Sequence, residues 1–201
     1  MNSKKHILVI IVLLLAFSLY ACGKTNGNNQ TQDSGSTVLI KAAVDVALDL
    51  KNQDMESLSK YLSNEKGLII APYSNIDLKT AHKFTIDEVK GLKENTNSVV
   101  WGIYDGSGEP IDLIFSDYYK KFIFDLDFTN PNIIGVNEII GKGNTVNNLK
   151  EVFPGSESVE FYFKGVDPKY EGLDWRSLRL GFEKSDGKYY LIYIAHDQWT
   201  I

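Results

Sequence analysis

A histidine beside an aspartate near the end of the sequence is the pair best suited to acid–base chemistry. His196-Asp197 follows an aromatic and apolar run that predicts a strand, and such a pair could serve as a base and its orienting group. An enzyme of the hydrolase type would need a further carboxylate, for which Asp105, Glu109 and Asp112 are candidates. The sequence has no G-x-S-x-G motif, so water would be the nucleophile. We expect a structural role for His196, with the hydrolase as the alternative.

Acidic residues at alternate positions begin like a calcium-binding loop but do not complete one. Asp125-x-Asp127-x-Thr129 is followed by neither the glycine at the sixth position nor the glutamate at the twelfth that such a loop needs. His82 and His196 are far apart in the sequence and have no metal-ligand spacing. We therefore interpret the acidic motif as a turn and cap, and we predict neither a metal nor a cofactor.

A glycine-containing segment, Gly141-x-Gly143-Asn144-Thr145, precedes a predicted helix. Its backbone amides could hold an anion, because amides at the start of a helix are natural anion donors. The spacing, however, matches neither the phosphate-binding loop nor the dinucleotide-binding motif. A bend followed by a helix cap is the interpretation that we favour.

Aromatic side chains are the feature that most suggests ligand binding. Tyr and Trp combine an apolar ring with a polar tip, which suits a ligand cleft or a partner surface. Most of the aromatic residues are expected to pack the sheet. The residues that we predict to line a binding concavity are Trp101, Tyr104, Tyr118, His196 and Trp199.

The last predicted strand is apolar or aromatic on both faces. Alternation along a strand places one set of side chains on one face (Tyr189, Leu191, Tyr193) and the other set on the opposite face (Tyr190, Ile192, Ile194). A strand of this kind should be central in its sheet, with a helix on one face. The other face would line either the core or a cavity.

The N-terminus has the three regions of an export signal. Lys4 and Lys5 precede an uncharged apolar run, Ile7–Leu19, which is shorter than the ~20 residues that a membrane-spanning helix needs. Leu19-Tyr20-Ala21-Cys22 follows directly, and it resembles the lipobox of bacterial lipoproteins, in which the cysteine receives a diacylglycerol before cleavage. We therefore predict a signal peptide over residues 1–21 and a lipid anchor on Cys22, the single cysteine of the chain.

The segment after Cys22 is predicted to be a flexible tether, residues 22–36. Gly23–Ser36 has no apolar side chain and is rich in Gly, Asn, Gln, Ser and Thr, so it cannot bury enough surface to fold. Loss of Lys4 and Lys5 with the signal would change the formal net charge from −5 to −7. An acidic chain of this kind is a poor nucleic-acid binder, so the partner that we expect is the membrane, contacted through the lipid.

Helix signals are concentrated in the first half of residues 37–201. Apolar and small residues at three- and four-residue spacing predict a helix over Val38–Leu50. Asp54 should cap a short second helix, and Thr85-x-x-Glu88 is a capping box that should open another. Further helices are predicted over residues 116–125, with Ser116 as the cap, and over residues 145–152.

Strand signals are concentrated in the second half. Residues 99–104 and 111–115 flank a turn, Asp105-Gly106-Ser107-Gly108, and so predict a hairpin. The other predicted strands are residues 67–71, 159–163, 178–183 and 189–195. Early helices and a late antiparallel sheet indicate a single α+β domain over residues 37–201, with N-terminal helices packed on a curved, cone-like antiparallel sheet.

The order of a long helix, a short helix and a late curved sheet resembles the nuclear transport factor 2-like (cystatin-like) cone. The segments 104–110, Gly141–Thr145 and the terminal His-Asp-Gln-Trp-Thr-Ile of residues 196–201 resemble a family of uncharacterised exported lipoproteins of Gram-positive bacteria. The resemblance implies export and a cone-like domain. It transfers no activity, because this fold hosts enzymes, binding modules and assembly domains alike.

Three functional hypotheses follow. The first is a non-catalytic lipoprotein, anchored on the extracytoplasmic face of the cell membrane, whose domain binds a small ligand, a peptide or an envelope protein. The second is an envelope enzyme that uses His196 with a nearby carboxylate. The third is a structural accessory domain of a surface complex.

Overall fold

The computed structural model describes residues 35–200, and its longest helix is α1, Gly35–Asn52. The buried residues of α1 are the six that the sequence periodicity predicted: Leu39, Ala42, Ala43, Val46, Ala47 and Leu50. The helix begins before the predicted start at Val38, so Gly35 and Ser36 belong to the domain and the predicted tether is too long at this end. The Tyr189 hydroxyl donates a hydrogen bond to the Gly35 carbonyl at 3.3 Å. The signal segment, Cys22 and the rest of the tether lie outside the described residues.

The strands form two sheets. A six-stranded sheet has the order β2-β1-β8-β7-β6-β5, and β3 and β4 pair as a separate hairpin. The strand bounds are β1 Leu68–Ala71, β2 Lys83–Phe84, β3 Ser98–Ile103, β4 Pro110–Ile114, β5 Ile133–Val136, β6 Glu157–Phe163, β7 Arg176–Ser185 and β8 Lys188–Gln198. With its helices, this arrangement confirms the α+β class.

The prediction of an antiparallel sheet is wrong in one respect, because the six-stranded sheet is mixed. β1 runs parallel to β8, whereas the other neighbouring pairs are antiparallel. The early strand β1 thus inserts beside the last strand of the chain. This places β8 between β1 and β7 and confirms that it is a central strand.

The remaining helices are short. They are α2 Met55–Ser59, α3 Ile86–Gly91, α4 Phe115–Tyr118 and α5 Leu149–Val152, with a π-turn at Tyr119–Ile123 and 3-10 turns at Leu92–Glu94 and Pro168–Tyr170. Two predicted caps are confirmed. The Asp54 carboxylate accepts from the Ser57 amide at 2.9 Å, and Thr85 and Glu88 form the reciprocal capping box.

Two predicted helix starts are wrong. The α4 helix begins at Phe115 without a side-chain cap, so Ser116 is not its cap. The predicted 145–152 helix is reduced to α5 because tertiary contacts hold the residues before it. The Thr145 hydroxyl donates to the Asp105 carboxylate at 3.0 Å. The side-chain amide of Asn148 accepts from the Ile76 N–H and donates to the Ile76 carbonyl, both at 2.9 Å.

The six-stranded sheet has an inner face and an outer face. The inner face, which packs against α1, buries alternate residues of β6 and β7 in the main core: Val159, Phe161, Leu178, Leu180 and Phe182. The outer face presents the intervening residues, among them Glu160, Ser177 and Arg179. It is covered by α5 and the loops around it, which add a smaller apolar cluster containing Leu149 and Ile192.

A bulge in β8 exchanges the two faces part of the way along the strand. Gly181 pairs with Tyr193 and Phe182 pairs with Leu191, so Ile192 is an extra residue. Before the bulge Leu191 packs in the main core; after it Ile194 does so, and Tyr193 lies in the outer cluster. The predicted grouping of Tyr193 with Leu191 is therefore wrong, because one extra residue reverses every later side chain.

Candidate functional site

His196, the predicted acid–base residue, is sealed in the inner core. Its side chain has 0% exposure, and the rings of Phe122 and Phe128 approach it edge-on at 6.1 and 6.3 Å. Its Nδ1 has no hydrogen-bond partner within residues 35–200. A base must reach the proton that it removes, and no substrate can contact this ring without local unfolding. The geometry favours the structural role.

The carboxylate beside His196 is Asp125, a residue that we had predicted to belong to a turn. His196 Nε2 lies 3.2 Å from Asp125 Oδ1, and Arg176 Nε lies 2.9 Å from Asp125 Oδ2. Burial by itself raises the pKa of Asp125, but the hydrogen bond from His196 and the charges of His196 and Arg176 outweigh it and bring the pKa below its ordinary value. The adjacent Asp197 lies on the outer face and binds Arg179 instead.

The three carboxylates proposed as partners of His196 lie elsewhere. Asp105 accepts hydrogen bonds from the hydroxyls of Thr200 and Thr145, and these contacts, that from Thr200 above all, lower its pKa. Glu109 and Asp112 are exposed on the β3–β4 hairpin. The alternation of a strand separates neighbouring residues, so proximity in sequence did not predict the true partner.

The aromatic residues predicted to line a concavity do not form one. Trp101 is buried and stacks on Tyr118 with ring centroids 4.0 Å apart, and its Nε1 donates to the Leu113 carbonyl at 2.9 Å. Tyr118 is fully enclosed, which raises its pKa well above the ordinary value. Tyr104 holds Lys121 over its ring at 4.4 Å, and Trp199 is 41% exposed at the surface. Packing of the inner core fills the space in which a ligand would lie.

The outer face instead contains a buried polar cluster centred on Arg179. Its guanidinium contacts Asp197, Ser74 and the Gly141 carbonyl through its terminal nitrogens. Its Nη2 also donates to Glu160 Oε1 at 3.1 Å, and its Nε forms an ion pair with Glu160 Oε2 at 3.1 Å. Two carboxylates thus flank one guanidinium in the buried cluster.

The glycine-containing segment contacts this cluster. Its backbone amides bind an anion, as the sequence suggested they could, but that anion is the Glu160 carboxylate of the protein itself. The amides of Ile140 and Gly141 each donate to the Glu160 carboxylate at 2.8 Å. A Cβ on Gly141 would come within 2.6 Å of Ser177 Oγ and of the Trp175 ring. Glycine is therefore required here for close packing. The bend that we predicted is present, and its amides hold Glu160.

Two adjoining clefts open on the outer face beside the Arg179 cluster. The polar cleft has a volume of ≈ 290 Å³, and the apolar cleft has a volume of ≈ 460 Å³. The polar cleft is lined by Asn137, Asn147, Lys150, Ser158, Arg179 and Tyr193, among others. The apolar cleft is lined chiefly by Ile69, Leu78, Ala81, Val152, Pro154 and Ile192. Phe153 and Ser156 belong to both clefts and separate them.

The ring of Tyr193 forms the floor next to this partition. It packs against Phe153 with ring centroids 4.7 Å apart and the ring planes tilted by 32°, and it lies across Gly181, where a Cβ would meet the ring at 1.9 Å. Burial raises the pKa of Tyr193 to about 12, so its hydroxyl keeps its proton at physiological pH and can donate a hydrogen bond. The bulge in β8 is what turns this ring toward the clefts.

Sequence reasoning missed the residues of this outer site. The available signal was a charged residue inside each of two apolar strands, Glu160 in β6 and Arg179 in β7. A buried charge needs a partner, so the two strands could have been expected to pair these residues. Their register does so directly, since Glu160 lies opposite Arg179.

Neither a metal-binding cluster nor a membrane-spanning helix is found in the described part of the chain. No three histidine, aspartate, glutamate or cysteine side chains converge there as metal ligands would, and no helix is long and apolar enough to cross a membrane. Asp127, from the calcium-like motif, accepts from Lys51 and Thr129 as part of a turn. The sequence matches no protein-family model, and neither curated proteins nor solved structures give a significant match.

Proposed function

We propose that this protein is a membrane-anchored extracytoplasmic lipoprotein whose domain binds a ligand in the outer clefts without chemically changing it. The observation that carries the proposal is the contrast between the sealed His196 and the paired clefts that share Phe153. Ligand sites are typically concave, largely apolar and fitted with a few convergent polar groups. The two clefts supply both kinds of surface side by side.

The location is inferred from the sequence alone. A signal-like segment ending at Cys22, and the likeness to exported lipoproteins of Gram-positive bacteria with a cone-like domain, support it. Two or more acyl chains on one cysteine give a lasting anchor, whereas one chain binds reversibly. Cys22→Ala should abolish incorporation of labelled lipid and release the protein from the membrane; unchanged labelling would refute the anchor.

Ligand binding is tested by thermal unfolding of the full chain in phosphatidylcholine nanodiscs with envelope metabolites and short peptides. A ligand at about 100 times its Kd should stabilise the fold by about 2.7 kcal/mol. Phe153→Ala should reduce that ligand-induced shift, and Trp199→Ala, a change of an exposed aromatic residue away from the clefts, should not. A shift that is equal in all three proteins, or turnover of the compound, would contradict the proposal.

A further inference from the structure

The apolar cleft is lined by apolar side chains of the sheet and of the loops above it. Ile69 of β1 and Ile192 of β8 form the floor, and both are nearly buried. Val152, Pro154 and Leu78 also line the cleft, and Leu78 is 53% exposed. An apolar ligand that covered Leu78 and the isoleucines would remove their exposed apolar surface from water, which lowers the free energy.

The charged residues at the mouth of this cleft are two lysines and one glutamate. Lys66 pairs with Glu183 at 2.9 Å. Lys83 Nζ donates a hydrogen bond to the Glu65 carbonyl at 3.4 Å, and within residues 35–200 no carboxylate lies at ion-pair distance from it. The mouth therefore carries about one net positive charge, on a chain whose formal net charge is −5. This local reversal of sign selects for an anion.

The register of the sheet places Lys83 at the edge of the apolar cleft, next to its floor. Lys83 of β2 pairs directly with Ile69 of β1, so both side chains project from the outer face. An aliphatic chain lying on Ile69 and Ile192 would therefore end beside the Lys83 ammonium. The combination of an apolar floor and a cation at one end matches an amphiphile with an anionic head.

We propose that the apolar cleft binds a fatty carboxylate of medium chain length, with its hydrocarbon chain on Ile69, Ile192 and Phe153 and its carboxylate at Lys83. This inference rests on the proposed ligand-binding function and names the ligand class. A hydrocarbon chain gains from every buried methylene, and the lysine charge fixes its direction. The polar cleft on the other side of Phe153 takes no part.

The test uses decanoate with a photoreactive diazirine at the end of its chain, added to the full chain in phosphatidylcholine nanodiscs. Because the carboxylate lies at Lys83 and the chain end at Phe153, mass spectrometry should locate the label in residues 152–156, and unlabelled decanoate should compete. Lys83→Glu should weaken decanoate binding about tenfold or more, because it replaces an attraction by a repulsion. Lys79→Glu is the matched control: Lys79 is exposed on the same loop as Leu78 but does not line the cleft, so labelling should persist.

The competitors decide the ligand class. Equal competition by decanol would show that the charge is irrelevant, and competition by inorganic phosphate would show an anion site that needs no chain; either result overturns the proposal, as does labelling that Lys83→Glu leaves unchanged. If decanoate fails but another compound stabilises the protein through Phe153, only the ligand class is wrong. If no compound acts through Phe153, the proposed function fails with it.

Discussion

The two faces of the six-stranded sheet are built from alternate residues of the same strands, yet one is an apolar core and the other a buried polar cluster beside two clefts. On the inner face, apolar side chains and α1 exclude water, and even His196 is enclosed. On the outer face, the same strands supply Arg179 and Glu160, which are buried but held by charge and hydrogen bonds. The inner face leaves no room for a ligand, whereas the outer face leaves two clefts. Burial by itself therefore does not identify the site; the way in which polar groups are satisfied does.

The largest expected effect is at Arg179. Arg179→Met leaves Glu160 and Asp197 buried beside an apolar chain, and removing one partner of a buried ion cluster typically costs about 3–5 kcal/mol. Urea unfolding of the full chain in nanodiscs should measure the loss. Lys90→Met, which breaks a surface pair with Glu56 of 3.1 Å, should cost less than about 1 kcal/mol. A small loss at Arg179 would show that the cluster does not organise the outer face.

A triple variant separates the effect of charge from the effect of packing in the Arg179 cluster. Adding Glu160→Gln and Asp197→Asn to Arg179→Met removes the unpaired charges, so part of the lost free energy should return. Replacement of a whole buried ion cluster is often far less costly than removal of one member. If the combined variant is less stable than Arg179→Met alone, packing of the carboxylate groups rather than charge explains the first result.

The next effect concerns the contact between Gly181 and Tyr193. Gly181→Ala places a methyl group inside the Tyr193 ring, and overpacking of this kind should cost about 2–3 kcal/mol, near the top of the usual range. Gly91, at the end of α3, has no atom within 4 Å of a built Cβ, so Gly91→Ala should leave the free energy of unfolding unchanged or raised. If Gly181→Ala leaves the free energy of unfolding unchanged, the Tyr193 ring is not fixed over β7.

A smaller effect is expected at His196. His196→Gln should cost about 1–2 kcal/mol, because a buried polar partner of Asp125 is lost or misplaced. His82→Gln is the matched control, since the His82 side chain is 45% exposed and faces Glu88 at 3.4 Å; its effect should stay within about 0.5 kcal/mol. A fully stable His196→Gln variant that has lost a measured activity would restore the hydrolase hypothesis.

The smallest effect is the acid dependence contributed by Asp125. Its pKa is lowered in the folded protein, so its contribution to stability is fully present above the pKa of an unfolded aspartate, about 3.9. The contribution is lost as the pH falls through the lowered folded value. The difference in free energy of unfolding between the wild type and Asp125→Asn should therefore shrink on acidification. Asp112→Asn, at an exposed site on β4, is the control for the loss of one carboxylate.

Local sequence signals predicted much of the fold. The six buried positions of α1, the Asp54 cap, the Thr85–Glu88 capping box and the β3–β4 hairpin are all present. Each depends on residues within a few positions of one another. The predictions for Ser116 and for residues 145–152 failed because the decisive contacts come from distant residues, such as Ile76 and Asp105.

The candidate site could not be predicted in the same way. Trp101, Tyr104, Tyr118 and Trp199 were chosen for their chemical type, and type does not distinguish a filled core from an open cleft. Asp125 lies 71 positions from His196 in the chain, so no spacing rule could have paired them. Phe153 gave no signal because its importance comes from the surfaces that meet around it.

The sequence by itself determined the class of the domain, the face that α1 buries and the prediction of a lipid anchor at Cys22, since periodicity, caps and motifs are local properties. Tertiary structure alone decided that β1 joins the sheet parallel to β8, that one bulge turns Tyr193 outward, and that Glu160, Arg179 and Asp197 meet. The physical reason is that strand order and register are set by long-range pairing. A shift of a single residue in that pairing moves a side chain from the core to the cleft.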